Sequence, residues 1–183
     1  MAIVGDNVIR GTVSNFTNSS YFAHSIVMPE DGSITNIVAY VNTLGATADM
    51  AVSLFSVDGG GAILNLLASG TATGVVNGTP AWVSVNFSSP YNALSGVTYF
   101  ICFWVNDSHQ VYYDAGSTGT IVRQDGGTYP TWQDPNTHGA GYNVGTEYLS
   151  VYANYTPTAG NATIAPGTIK GVQSIKGLQS ITF

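Results

Sequence analysis

The chain of 183 residues is long enough to bury one substantial apolar core, yet only 8% of it is charged and its formal net charge is −6. All acidic residues precede position 160, against Arg10 and Arg123 alone, so the body lacks the clustered basic side chains that nucleic-acid binding requires. No run approaches the roughly 18 apolar residues of a membrane helix, and a single cysteine, Cys102, excludes an internal disulfide framework.

The amino terminus, MAIVGDNVIRG, lacks the basic start and apolar run of a secretory leader, and residues 1–20 read as an arm. A surface made polar by Gly, Ser, Thr, Asn and Tyr instead points to life outside cells. A virion protein, made in the host cytoplasm and released by lysis, reconciles the two; a mature extracellular chain is the alternative.

From residue 21 to residue 157 an alternation of period two predicts antiparallel strands separated by turn residues, with no helix. YFAHSIVMP (21–29) precedes the turn EDGS. In SITNIVAYVNT (33–43), Ile37, Ala39 and Val41 share one face. DMAVSLFSV (49–57) sets Ala51, Ser53, Phe55 and Val57 against Val52 and Leu54. AILNLLASGTATGVV (62–76) supplies a loop and a short strand. WVSVNF (82–87) turns Val83, Val85 and Phe87 inward and Ser84 and Asn86 outward. VTYFICFWVND (97–107) is apolar on both faces, as a central covered strand should be, with Cys102 a buried thiol. QVYYDAG, TIVRQ and EYLSVYANYT complete the set, the last pointing Leu149, Val151, Ala153 and Tyr155 one way. The fold expected is all-β, an antiparallel sandwich of jelly-roll type.

The succession SITNIVAYV (33–41), VSLFSVDG (52–59), WVSVNFSSP (82–90), LSGVTYFICFWV (94–105) and YLSVYANYT (148–156) resembles the jelly-roll modules of bacteriophage virion proteins, of cell-surface proteins and of glycan-binding proteins. That resemblance covers roughly residues 20–157. It implies a non-catalytic role in adhesion, sugar binding or assembly.

Enzyme motifs are missing from the sequence itself. His24, His109 and His138 fall in no metal-binding spacing and read as solvated strand or loop residues, and neither a G-x-S-x-G elbow nor a phosphate-cradling loop occurs. We therefore expect no catalytic residues and no cofactor. The candidate ligand region runs from Asp107 to Tyr142, where Tyr112, Tyr113, Tyr129, Trp132, Asp134, Asn136 and Tyr142 could bind carbohydrate. Aromatic faces stack on sugar rings, and Asp and Asn pair with hydroxyls. Equally, Trp132 could cap the core, and one of the tandem tyrosines could turn inward. A calcium site through Asp107, Asp114 or Asp125 lacks a D-x-D-x-D-G run. N-x-S/T triplets begin at Asn15, Asn18, Asn77, Asn86, Asn106, Asn154 and Asn161, and read as outward polar positions alternating with core ones.

Residues 158–168 form a Pro-, Gly- and Thr-rich linker. Beyond it a hexapeptide is written twice, IKGVQS then IKGLQS, followed by ITF. Read as a strand, its even period keeps every residue type on one face. Ile169, Val172, Ile175, Leu178 and Ile181 also recur at every third position, the repeat of a threefold winding. An apolar β-prone segment of this kind, ending in Phe183, needs a partner. The expected function is thus a structural component of a virus particle, a bacteriophage capsid-decoration or fibre protein. The peptide 169–183 would dock it onto other virion proteins or wind within a homotrimer. The alternative is a carbohydrate-binding module or lectin-like adhesin; a virion protein binding host-surface glycans combines the two.

Overall fold

A computed structural model describes residues 1–18, 20–61, 63–116, 121–124, 128–132, 142–145 and 147–158. The tail residues Ile169, Val172, Ile175, Leu178, Ile181 and Phe183 lie outside these, as do Asp134 and Asn136. The strands are β1 (Ala2–Gly5), β2 (Thr12–Phe16), β3 (Tyr21–Val27), β4 (Gly32–Thr43), β5 (Thr47–Val57), β6 (Ile63–Asn77), β7 (Ala81–Ala93), β8 (Thr98–Val105), β9 (His109–Ala115), β10 (Ile121–Gln124), β11 (Tyr142–Gly145), β12 (Glu147–Leu149) and β13 (Val151–Pro157). No helix occurs among the described residues.

The strands form two antiparallel sheets packed as a sandwich. One has the order β1-β13-β4-β9-β12, with β2 beside β9 and β7 beside β4; the other has the order β11-β10-β3-β8-β5-β6. The chain changes sheet at most of its connections, so neighbours within a sheet are rarely consecutive, which is jelly-roll wiring. Alternation decides what faces inward. Ile37, Ala39 and Val41 of β4, Val83, Val85 and Phe87 of β7, and Leu149, Val151, Ala153 and Tyr155 of the last strands meet Val52 and Leu54 of β5 and Ile101 and Phe103 of β8 in one core. Each Val, Leu, Ile or Phe among them contributes roughly 2 kcal/mol by leaving water.

The middle strand of the six-stranded sheet is buried on both sides, as its doubly apolar sequence requires. Tyr99, Ile101, Phe103 and Val105 enter the sandwich core, while Phe100, Cys102 and Trp104 lie on the opposite face. There Tyr21, Ala23, Ala51, Phe55 and Ile63 surround them, and Tyr129 and Trp132 close over the top. Burial pushes the Cys102 thiol far above its ordinary pKa, so it stays protonated and inert.

Two expectations are corrected. The stretch 1–20 is not an arm outside the sandwich: β1 pairs with β13 and β2 with β9. Alternation within these short strands turns Ala2, Val4 and Phe16 onto the core. The loop between them is tied down as well. Arg10 pairs with Asp6 and Asp114 and lies 5.0 Å over the Tyr148 ring, and its backbone N–H donates to Ser150 Oγ at 2.9 Å. The second correction concerns residues 63–77, which form one long strand instead of a loop and a short strand. Register shifts where β5 pairs with it, between Ala48 and Met50 and twice between Leu54 and Val57, break the period of two that would have announced it.

Candidate functional site

Because Ile37, Ala39 and Val41 face the core, their neighbours Asn36, Val38, Tyr40 and Asn42 face outward from the seven-stranded sheet. Cross-strand register then selects their companions: Asn154 and Asn86 flank Asn36, Tyr152 and Ser84 flank Val38, and Trp82 lies beside Tyr40. Tyr112 joins from β9. Tyr40 is the hub of the aromatic group, with its ring centroid 5.3 Å from Trp82 and 4.9 Å from Tyr112, both edge-to-face; Trp82 is 5.2 Å from Tyr152. All four rings are half-buried.

Two rows along the strands from Tyr40 and Trp82, about 13 Å away, and one row beyond Tyr152, amides replace rings. Asn154 Nδ2 donates to Asn36 Oδ1 at 2.8 Å, and Asn36 Nδ2 donates to Ser84 Oγ at 3.1 Å and Asn86 Oδ1 at 3.4 Å. The Tyr112 hydroxyl donates to Asn42 Oδ1 at 3.3 Å. None of these side chains is ionisable in the neutral range. The face is a rigid, uncharged platform of rings beside a ladder of amides.

The carbohydrate candidates from the sequence do not converge on one place. Tyr112 is part of this platform, whereas Tyr113 turns inward, packs on the core and shares a hydrogen bond of 3.0 Å with Ser14. Tyr129 and Trp132 lie on the outer face of the other sheet. Trp132 there has ring contacts with Tyr21, Trp104 and Phe55 at 5.6, 5.7 and 6.2 Å, the capping role that was its alternative reading. Of Tyr142 only the backbone is described, paired with Gln124; Asp134 and Asn136 fall outside. Trp82, Tyr40 and Tyr152 were not singled out from the sequence. A signal existed in WVSVNF, where Trp82 shares the outward phase of Ser84 and Asn86, an unusual position for the most costly side chain to leave wet.

Comparison with solved structures finds matching chains. A chain in the structure of infectious bursal disease virus Gx strain matches with a TM-score of 0.34 and 12% identity, over 88% of this chain and 44% of that one. The protein thus spans less than half of that viral chain. No family model and no curated protein matches.

Elsewhere the titratable groups serve structure. Asp107 and Asp114 sit at opposite ends of β9, Asp107 accepting from the Ser108 N–H and Asp114 from the Gly11 N–H, while Asp125 is outside the described residues. No metal-sized group of His, Cys, Asp and Glu occurs among the described residues. The histidines correct the expectation of solvated positions: His24 and His109 are both buried. His109 Nδ1 donates to the Asp107 carbonyl at 2.8 Å, and His109 Nε2 and His24 Nδ1 have no hydrogen-bond partner among the described residues. Burial lowers both pKa values, opposed by Asp6 at His24 and by Asp107 at His109, with Arg10 adding to the lowering at His24.

A folded-state pKa below the unfolded value means that the unfolded chain takes up protons first as pH falls. Stability is therefore full above about pH 6.5 and declines below it, by at most roughly 1.4 kcal/mol per pH unit for each histidine. Urea midpoints measured from pH 7.5 to 5 should show this slope, and His109→Asn should reduce it. An unchanged midpoint over that range would contradict the burial of both rings.

Proposed function

We propose that the protein is a non-catalytic structural component of a virus particle, a bacteriophage capsid-decoration or fibre protein, docking through its C-terminal peptide. The observation that carries this reading is the doubled hexapeptide IKGVQS-IKGLQS, which holds two of the chain's four basic residues and a strict recurrence of Ile, Val and Leu. The body supports it from the other side. Its last strand, β13, is already paired on both edges, by β1 and β4, so it leaves no edge of its own for the tail. A self-sufficient body joined by a Pro- and Gly-rich linker to an apolar β-prone peptide suits a display unit with a separate attachment segment.

The test is the solution mass by light scattering of the full chain and of a chain stopped after Gly160. The full chain should run as a homotrimer or larger and the truncated chain at the mass of one subunit. Equal, monomeric masses would overturn tail-driven self-assembly.

A further inference from the structure

We infer that the outer face of the seven-stranded sheet is a binding site for neutral glycans, centred on Trp82 and Tyr40. This does not depend on the virion reading; it rests on what the face offers chemically. Trp82, Tyr40, Tyr112 and Tyr152 hold one another in edge-to-face and tilted contacts, so the platform is ordered before any ligand arrives and little rotamer freedom is lost on binding. The hydroxyls of Tyr40 and Tyr152 and the Trp82 indole N–H have no hydrogen-bond partner among the described residues, although all three rings are partly open to solvent. The adjoining amide ladder is oriented by its own lateral bonds, which leaves the Asn86 side-chain N–H groups and the Asn154 Oδ1 directed by neighbours but unspent among the described residues.

A sugar ring matches both halves. In a short oligosaccharide the C–H face of one ring lies on the aromatic rings, and the hydroxyls of the next, each donor and acceptor, meet the amides about 13 Å along the strands from Trp82. Charge selects among ligands. With no Lys, Arg, Asp or Glu among Asn36, Val38, Tyr40, Asn42, Trp82, Ser84, Asn86, Tyr112, Tyr152 and Asn154, the face offers no counter-ion to a phosphate, a sialic acid, an acidic lipid or a charged peptide. A protein partner would call for an apolar centre, and the one aliphatic side chain here, Val38, is already buried.

The experiment applies the full chain to an array of neutral oligosaccharides, built of glucose, galactose, mannose and N-acetylhexosamines, beside sialylated and sulfated ones, with calorimetric titration of the strongest. Neutral glycans alone should bind. Affinity should fall at least tenfold in Trp82→Ala and severalfold in Asn86→Ala, an exposed position, while Trp82→Phe keeps most of it and Trp132→Phe all of it, at unchanged melting temperature. Binding of no neutral glycan, preference for the anionic ones, or full affinity in Trp82→Ala would each overturn the site.

Discussion

Replacing Trp104 by alanine is expected to destabilise the protein by about 4 kcal/mol and to lower its melting temperature by roughly 10 °C. Trp104 leads the fully buried side chains in volume. It stands on the central strand of its sheet, between Tyr21 of β3 and Ala51 of β5 in register, with ring contacts to Tyr21, Tyr129 and Trp132 at 5.6, 5.7 and 5.7 Å. Its indole Nε1 donates to the Asn18 carbonyl at 2.7 Å, which ties the approach to β3 down over the ring. Alanine removes the packing and leaves that carbonyl without its donor. Trp104→Phe separates the two contributions: it keeps most of the ring contacts and should cost about 1–2 kcal/mol, chiefly the lost hydrogen bond. Urea unfolding of both variants decides the matter, and a loss below 1 kcal/mol in Trp104→Ala would mean that the cluster under Trp132 is not tightly packed.

Gly70→Ala is expected to cost about 3 kcal/mol through a different mechanism. Gly70 pairs with Val52 across the sheet, yet its open side rests on the backbone of β7 in the other sheet. A Cβ added there would sit inside the Asn86 carbonyl, 2.9 Å from its carbon and 3.1 Å from the Phe87 Cα, all backbone atoms that no rotamer change can clear. The two sheets meet here backbone to backbone, and a methyl group would wedge them apart. Two glycines serve as controls. Gly59 has nothing within 4 Å and an ordinary backbone, so Gly59→Ala should be close to neutral. Gly74 also has open space but a φ of +63°, so Gly74→Ala should cost about 1 kcal/mol from left-handed strain alone. Equal stability of Gly70→Ala and Gly59→Ala in denaturant would show that β6 and β7 are not in that contact.

The two sheets treat their outer faces differently, and this places the candidate site. On the six-stranded sheet, Tyr129 and Trp132 cover Trp104 and Phe55, so the aromatic surface there is consumed in packing. On the seven-stranded sheet the rings of Tyr40, Trp82, Tyr112 and Tyr152 have their ring contacts with one another among the described residues and stay partly open. Aromatic content alone does not distinguish the two situations. Trp132 lies in a turn-rich loop between YP and DP, and Trp82 stands at the start of a strand in the outward phase of Ser84 and Asn86.

Much of the sandwich was determined by the sequence alone, because the direction of a side chain along a strand is a local property of the backbone. Ile37, Ala39 and Val41, then Val83, Val85 and Phe87, then Leu149 to Tyr155 announce their inward faces without reference to anything distant, and the doubly apolar YFICFWV announces a strand covered on both sides. The tertiary structure alone decided which outward faces meet. Tyr40, Trp82, Tyr112 and Tyr152 come from four strands spread over more than a hundred residues, and only the pairing of β4 with β7, β13 and β9 sets them side by side. It also decided that residues 2–5 and 12–16 are strands, since such short segments are stabilised by the edges of β13 and β9 and not by their own pattern. Local alternation states which way a residue points; what it points at depends on non-local hydrogen bonding, which leaves no periodic mark in the chain.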